Sequence, residues 1–247
     1  MAFMKDKILI TLFSLVLLLS FGSVEQSLAC SCASDLCQNY ERAEVVFVGK
    51  VTEIKKIAEH AYTVGFEISE AYKGIQTEKQ INVLSVQNAG GSCGYDFDLN
   101  EIYLVFTKNG KDQRGIEGFW TGQCSGIRHI GYAATSLDFL QKSKLFTTRP
   151  VILGNVLDVS VGKNRILPIE GIRIKVQSTK NKLRIFHGTT NQFGNFEINV
   201  PPGTYQVSPE LPKDFIFSET APLKKTSITV RRNNFNAKCF LIKNIAN

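Results

Sequence analysis

The side chains with the most chemistry in this chain of 247 residues are six cysteines: Cys30, Cys32, Cys37, Cys93, Cys124 and Cys239. Cysteines can hold zinc, act as nucleophiles or pair as disulfides, and spacing separates these uses. The run Cys30-x-Cys32-x4-Cys37 fits no zinc-finger pattern, and none of the histidines lies close to it in sequence, so disulfides are expected and no resident metal or cofactor. His60, His129 and His187 stand apart from one another, with no Gly-x-Ser-x-Gly elbow and no glycine-rich phosphate loop ahead of a helix. That excludes the common hydrolase and nucleotide-binding signatures, and no catalytic residues are expected. Asp96, Asp98 and Glu101 form the tightest acidic cluster. Lacking the spacing of a calcium loop, they read as a solvated turn.

A disulfide chemistry requires an oxidising compartment, and the amino terminus supplies the route. Lys5 and Lys7 precede an apolar run from Ile8 to Phe21, followed by a polar stretch ending Ser27-Leu28-Ala29. This is the pattern of a cleavable signal peptide over residues 1–29, with maturation at Cys30. The run is shorter than the roughly 20 apolar residues needed to span a bilayer. No later stretch approaches that length, so no transmembrane segment is expected after cleavage. Acylation of Cys30, as in a bacterial lipoprotein, is less favoured, because Ser27 stands where a lipobox carries a large aliphatic residue. The expected location is outside the cytoplasm: periplasm, cell surface or medium.

Charge divides the remainder. Residues 30–150 carry 13 Lys+Arg against 14 Asp+Glu, whereas residues 151–247 carry 14 against 6. The basic half suits an anionic envelope polymer, lipid headgroups or an acidic protein better than nucleic acid in an exported protein. Thr147-Thr148-Arg149-Pro150 marks the junction, giving units over 30–147 and 151–247 joined by a linker at 148–150.

The elements that must position the cysteines are strands. Val45–Val51 is β-branched and aromatic, Tyr62–Ile68 alternates with period two, and Ile81–Val86, Ile102–Thr107 and a less regular Glu117–Gly122 follow. A single helical stretch runs from about Ala134 to Lys144. Five strands with no alternating helices predict a small closed barrel with a flanking helix. Beyond Pro150, Ile152–Val156, Pro168–Val176, Thr190–Ile198 and Pro201–Val207 alternate between Gly, Pro and Asn punctuation. They predict a β-sandwich of about seven short strands, so the fold class is all-β throughout. Trp120 and most phenylalanines sit at strand positions and are expected in the core.

The order Cys30-Ser31-Cys32, Cys37, Ala43-Glu44-Val45-Val46-Phe47-Val48-Gly49-Lys50-Val51, Phe66-Glu67-Ile68-x3-Tyr72-Lys73-Gly74, Cys93-Gly94, Tyr103-Leu104-Val105 and Cys124 resembles the netrin-like amino-terminal domain of the tissue inhibitors of metalloproteinases. The resemblance covers roughly residues 30–144 and implies an OB-type barrel. It also implies pairing of Cys30 with Cys93 and of Cys32 with Cys124. Cys37 has no family counterpart before Cys124, and Cys239 is left for it. The family mechanism implies a partner, a zinc metallopeptidase, whose metal is chelated by the free amine and carbonyl of Cys30. The inhibitory edge would comprise Cys30, Ser31, Cys32, Ala33 and Ser34 beside Gly91, Ser92 and Cys93. Two departures stand out: the short Cys32–Cys37 interval and the absence of the inhibitors' own carboxy-terminal half. Residues 151 to about 243 resemble the carboxypeptidase regulatory-like, transthyretin-like domain, through Gly194-Asn195-Phe196 and Pro202-Gly203-Thr204-Tyr205. Such domains support or bind. Two readings follow: a secreted protein-binding module that inhibits a zinc metalloendopeptidase, and a non-inhibitory envelope or adhesion protein whose basic sandwich holds an anionic surface or polymer.

Overall fold

The computed structural model describes residues 32, 35–87, 93–112, 114–147, 149–160, 167–218, 226–231, 234 and 236–245. The expected signal peptide, Cys30, Ser31, Ala33, Ser34, Gly91 and Ser92 lie outside the described residues.

After one short helix come five strands: β1 (Val45–Ala58), β2 (Ala61–Lys73), β3 (Gln80–Val86), β4 (Ile102–Lys111) and β5 (Glu117–Trp120). They run β1-β2-β3-β5-β4, and β4 pairs back onto β1, with β3 parallel to β5 and the other pairs antiparallel. This pairing closes the five strands into a barrel, with β3 and β5 joined at Leu84 and Trp120. A two-residue strand, β6 (Arg128–His129), pairs with β4. Alternation along β1 explains the closure. Val45, Phe47 and Val51 point into the barrel with Phe66, Phe97, Tyr103 and Val105, while Val46 and Val48 point outward. Inside, Phe66 meets Phe47 and Phe97 edge-on, each at 5.3 Å, a geometry that opposes ring edge to ring face.

Helix α1 (Leu36–Arg42) was not foreseen. At seven residues it is too short to show helical periodicity, but Asp35 ahead of it is a cap signal. Its carboxylate accepts the Gln38 N–H at 2.8 Å. The Lys73 ammonium closes the other end, donating to the Tyr40 carbonyl at 2.8 Å and the Glu41 carbonyl at 3.2 Å. Helix α2 (Ala134–Ser143) matches the expected stretch.

The remaining strands are β7 (Val151–Asp158), β8 (Leu167–Pro168), β9 (Arg173–Ser178), β10 (Ile185–Thr189), β11 (Asn195–Asn199), β12 (Gly203–Glu210), β13 (Phe215–Phe217), β14 (Thr226–Val230) and β15 (Ala237–Asn244). Seven of these nine span at least five residues, or eight with the three-residue β13 counted; β8 adds only two residues to an edge. They form two sheets, β10-β9-β12-β14 and β11-β7-β15-β13, with β8 on β7. Ile152, Val156, Ile174, Val176, Phe196, Val207, Phe240 and Ile242 fill the space between them.

Strand β7 is buried along its whole length. Ile152 and Val156 face the sandwich interior, whereas Val151 and Leu153 face the other way, into a cluster with Val46, Val48, Leu104, Phe106, Phe139, Leu140 and Ala237. A strand covered on both faces reads as a continuous apolar run, as Val151-Ile152-Leu153 does. The barrel's outer face and the sandwich therefore share one apolar layer beneath α1 and α2. A disulfide between Cys37 of α1 and Cys239 of β15 crosses that layer. Polar contacts continue it: the Asn191 and Asn195 carboxamides donate to Asp138 of α2 at 3.0 and 2.8 Å, and Lys142 pairs with the same carboxylate. Burial pushes this carboxyl up, but those donors outweigh it and hold its pKa below the ordinary value.

Candidate functional site

Two regions carry side chains that could engage a partner. The first is the cysteine-bearing end of the barrel. Cys32, exposed, is bonded through sulfur to Cys124, in the turn following β5. The backbone of that turn is tied to Cys93, whose carbonyl accepts the Gln123 N–H at 2.9 Å. Cys93 is itself disulfide-bonded and takes φ = 52°, a left-handed conformation uncommon for a residue with a side chain. Gly94 next to it is required by space, since a Cβ there would lie 1.9 Å from the Val86 carbonyl. The Tyr95 N–H donates to that same carbonyl at 3.1 Å. Of the edge implied by the inhibitor resemblance, Cys32 and Cys93 are thus brought to one end on cross-linked backbone.

The second region is the outward face of the β10-β9-β12-β14 sheet. Strand alternation sends Ile174, Val176, Tyr205 and Val207 inward and leaves Arg173, Lys175, Gln177, His187, Gln206 and Thr229 outward. The β9–β10 connection adds exposed Lys180, Lys182 and Arg184. Among the described residues Glu210 supplies the one carboxylate on this face, and it pairs with Arg173 at 3.4 Å. Among the described residues, Lys175, Lys180, Lys182 and Arg184 have no carboxylate partner. Arg184 instead stacks over the Phe186 ring at 5.7 Å. At the tip of that connection Leu183 is 92% exposed.

Other candidates disperse. Asp96, Asp98 and Glu101 are all exposed, and Glu101 bonds His129 across 2.9 Å, so the acidic turn is partnered by a histidine that the sequence leaves isolated. His60 contacts Gln87 at 3.3 Å, far from either region in sequence. Trp120 is only half-buried and lies outside the three apolar clusters, contrary to its expected core role. Its short strand pairs with the far end of β4, Lys108 to Lys111, at the barrel rim. Among the described residues no helix is long and apolar enough to cross a membrane.

Comparison with known proteins finds no matching family model and no matching curated protein. Both family resemblances therefore rest on the residues that carry them. Similar solved structures include the minor pilin of Streptococcus agalactiae, 10% identical, covering 82% of this chain and 82% of that one with a TM-score of 0.28. A carboxy-terminal fragment of a pilus adhesin from Lactobacillus rhamnosus is 11% identical over 87% of this chain and 94% of its own, TM-score 0.27. The major plantain pollen allergen is 12% identical over 37% of this chain and 87% of its own, TM-score 0.28. At these scores the neighbours carry no argument about function.

Proposed function

We propose that this chain is an extracytoplasmic, non-catalytic binding protein of the cell envelope, whose sandwich holds an anionic polymer on the outer face of the β10-β9-β12-β14 sheet. One observation carries this reading: among the described residues, four cations on and beside that face lack carboxylate partners, and the acid on it, Glu210, is already paired. Their field adds over a flat, hydroxyl- and amide-lined surface, which suits a repeating anionic chain better than a single small ligand. Paired cysteines support an oxidising location. The units 30–147 and 151–247 would then act together, the barrel serving as a rigid mount. Dextran sulfate should bind and neutral dextran should not. Replacing Lys175, Lys182 and Arg184 together by Gln should weaken binding roughly tenfold, since each exposed charge contributes only a few tenths of a kcal/mol to about 1. Raising salt should weaken it further. An unchanged affinity in the triple variant would remove this face from the reading.

A second reading keeps the inhibitor mechanism, and its support is the cross-linked Cys32–Cys124 and Cys93–Gln123 arrangement at one end of the barrel. An ordered edge loses little entropy on docking, and an α-amine with an ordinary pKa near about 8 is partly neutral at physiological pH and able to ligate zinc. Adding one Ala before Cys30 should then abolish inhibition of a susceptible zinc endopeptidase without altering the fold. Identical behaviour of the free and extended proteins across a peptidase panel would leave the polymer-binding reading alone.

A further inference from the structure

Between α1, α2 and the β7–β15 floor lies a cleft of about 240 Å³ that the polymer-binding reading does not use and that meets the inhibitor reading only at Cys32, one of its lining residues. Asn155 and Leu157 of β7 and Leu241 of β15 form its floor, with Asp35, Arg128 and Thr135 on the walls. By register, Asn155 lies level with Asn195 on one side and Cys239 on the other, on the sheet face turned toward the helices. Its side chain is fully buried, yet among the described residues neither the Oδ1 nor the Nδ2 atom has a hydrogen-bond partner. A buried carboxamide with both ends unmet is uncommon, because desolvating it without compensation is unfavourable. Asn195 has its Nδ2 bonded to the Thr135 carbonyl and Asp138, but its Oδ1 is unmet too.

Arg128 stands at the side of the same cleft. Its guanidinium donates once, to the Ile127 carbonyl at 2.9 Å, and has no carboxylate partner among the described residues. Four of its five N–H donors are left, arranged in the planar fork that accepts a carboxylate through two bonds. Asp35 also lines the cleft; its oxygens are engaged by Gln38, and burial pushes its carboxyl pKa up, which favours the uncharged form beside a bound anion. The cleft thus offers a cationic fork, a donor–acceptor amide, the Asp35 carboxyl and two leucines within a volume smaller than that of drug-sized sites.

We propose that this cleft binds a carboxylate adjacent to an amide, the group shared by an N-acylated amino acid and the carboxy-terminal residue of a peptide. Arg128 takes the carboxylate and Asn155 pairs with the amide, one donor and one acceptor on each side. Arg128 selects for charge, and Asn155 rejects ligands that cannot answer both of its atoms.

The test is side-chain amide NMR on the full oxidised chain, with the Asn155 resonance assigned by its loss in Asn155→Leu. N-acetyl-L-alanine should move that resonance saturably. N-acetyl-L-alanine methylamide, the same shape without the charge, should bind at least about tenfold more weakly. Arg128→Gln should abolish the difference between the two compounds. Asn155→Leu, which fills the site with an apolar side chain of similar size, should keep or raise the thermal midpoint and lose the acid, read in this variant from the side-chain amide resonance of Asn195, which lies level with position 155. Acetyl-tetraalanine separates the sources: tighter binding than N-acetyl-L-alanine identifies a peptide terminus, weaker binding a free acylated amino acid. Absence of a saturable shift with every compound overturns the proposal. So does equal binding of acid and methylamide, or an Asn155→Leu variant that still binds the acid.

Discussion

Replacing Cys37 and Cys239 together by alanine is expected to cost about 3 to 5 kcal/mol of stability, and to lower the thermal midpoint by roughly 10 °C or more. The two cysteines are 202 residues apart, so the bond closes nearly the whole described chain into a loop. On the chain-entropy account such a closure removes more freedom from the unfolded state than a short loop does, about 5 kcal/mol here. The lower end of the range allows for residual structure in the unfolded chain. Little of the loss should come from packing, because alanine at either position removes one sulfur and leaves the surrounding Ala237, Leu153 and Leu140 in place. The shared apolar layer still couples barrel and sandwich, so unfolding should remain one transition. Urea unfolding of oxidised parent and double variant, at equal ionic strength, measures the difference. A shift below about 1 kcal/mol would mean that the cross-link does not restrain the unfolded chain as its span implies.

Gly154→Ala is expected to be as damaging for a different reason. Gly154 lies on the inner face of β7, level with Phe196 of β11 and Lys238 of β15. A Cβ at this point would sit 1.8 Å from the Lys238 carbonyl oxygen and 2.4 Å from Cζ of Phe196. The Phe196 ring, fully buried and stacked on Phe240 at 6.5 Å, occupies the slot that the missing side chain leaves. A ring can be displaced, but the carbonyl belongs to a paired strand and moves only if the β7–β15 pairing opens. The expected loss exceeds about 4 kcal/mol, in the range reserved for severe overpacking of a core. Adding Phe196→Leu to Gly154→Ala should not restore stability, since the backbone contact persists. Gly110→Ala is the control: its nearest neighbour would be a Trp120 ring carbon at 3.7 Å, ordinary contact, so the effect should be small. Soluble yield and unfolding midpoints of the variants decide. A Gly154→Ala midpoint within a few degrees of the parent would show that β7 and β15 have room to separate.

Barrel strands were legible because their chemistry is local. The run Val45-Val46-Phe47-Val48 and the alternation of Tyr62–Ile68 state strand and facing at once, and the order of strands leaves few ways to close a small barrel. Sandwich strands were legible for the same reason, helped by the turns at Gly194 and Gly203. Helix α1 was missed because about two turns carry too little period to read, and Trp120 was misplaced because a strand position does not say whether the strand ends at a rim. The acidic turn looked solitary until the chain brought His129, 28 residues on, to Glu101.

The basic balance of residues 151–247 is a property of composition and could be counted before any fold was known. Which cations share a face could not, because Lys175 and Lys182 become neighbours of one surface only through the pairing of β9 with β10. The same holds more strongly for the cleft. Asn155 reads in the sequence as an interruption of an apolar strand and Arg128 as one more charge in a loop. Sequence determined that strands alternate, that the halves differ in charge and that cysteines are available to pair. Only tertiary structure decided that β7 would be covered on both faces, and that Asn155 would lie buried without partners at the floor of a cleft beside Arg128. Alternation and charge follow from neighbours within a few residues, whereas burial on a second face depends on α2 and on segments as far off as α1 and β1, more than a hundred residues away.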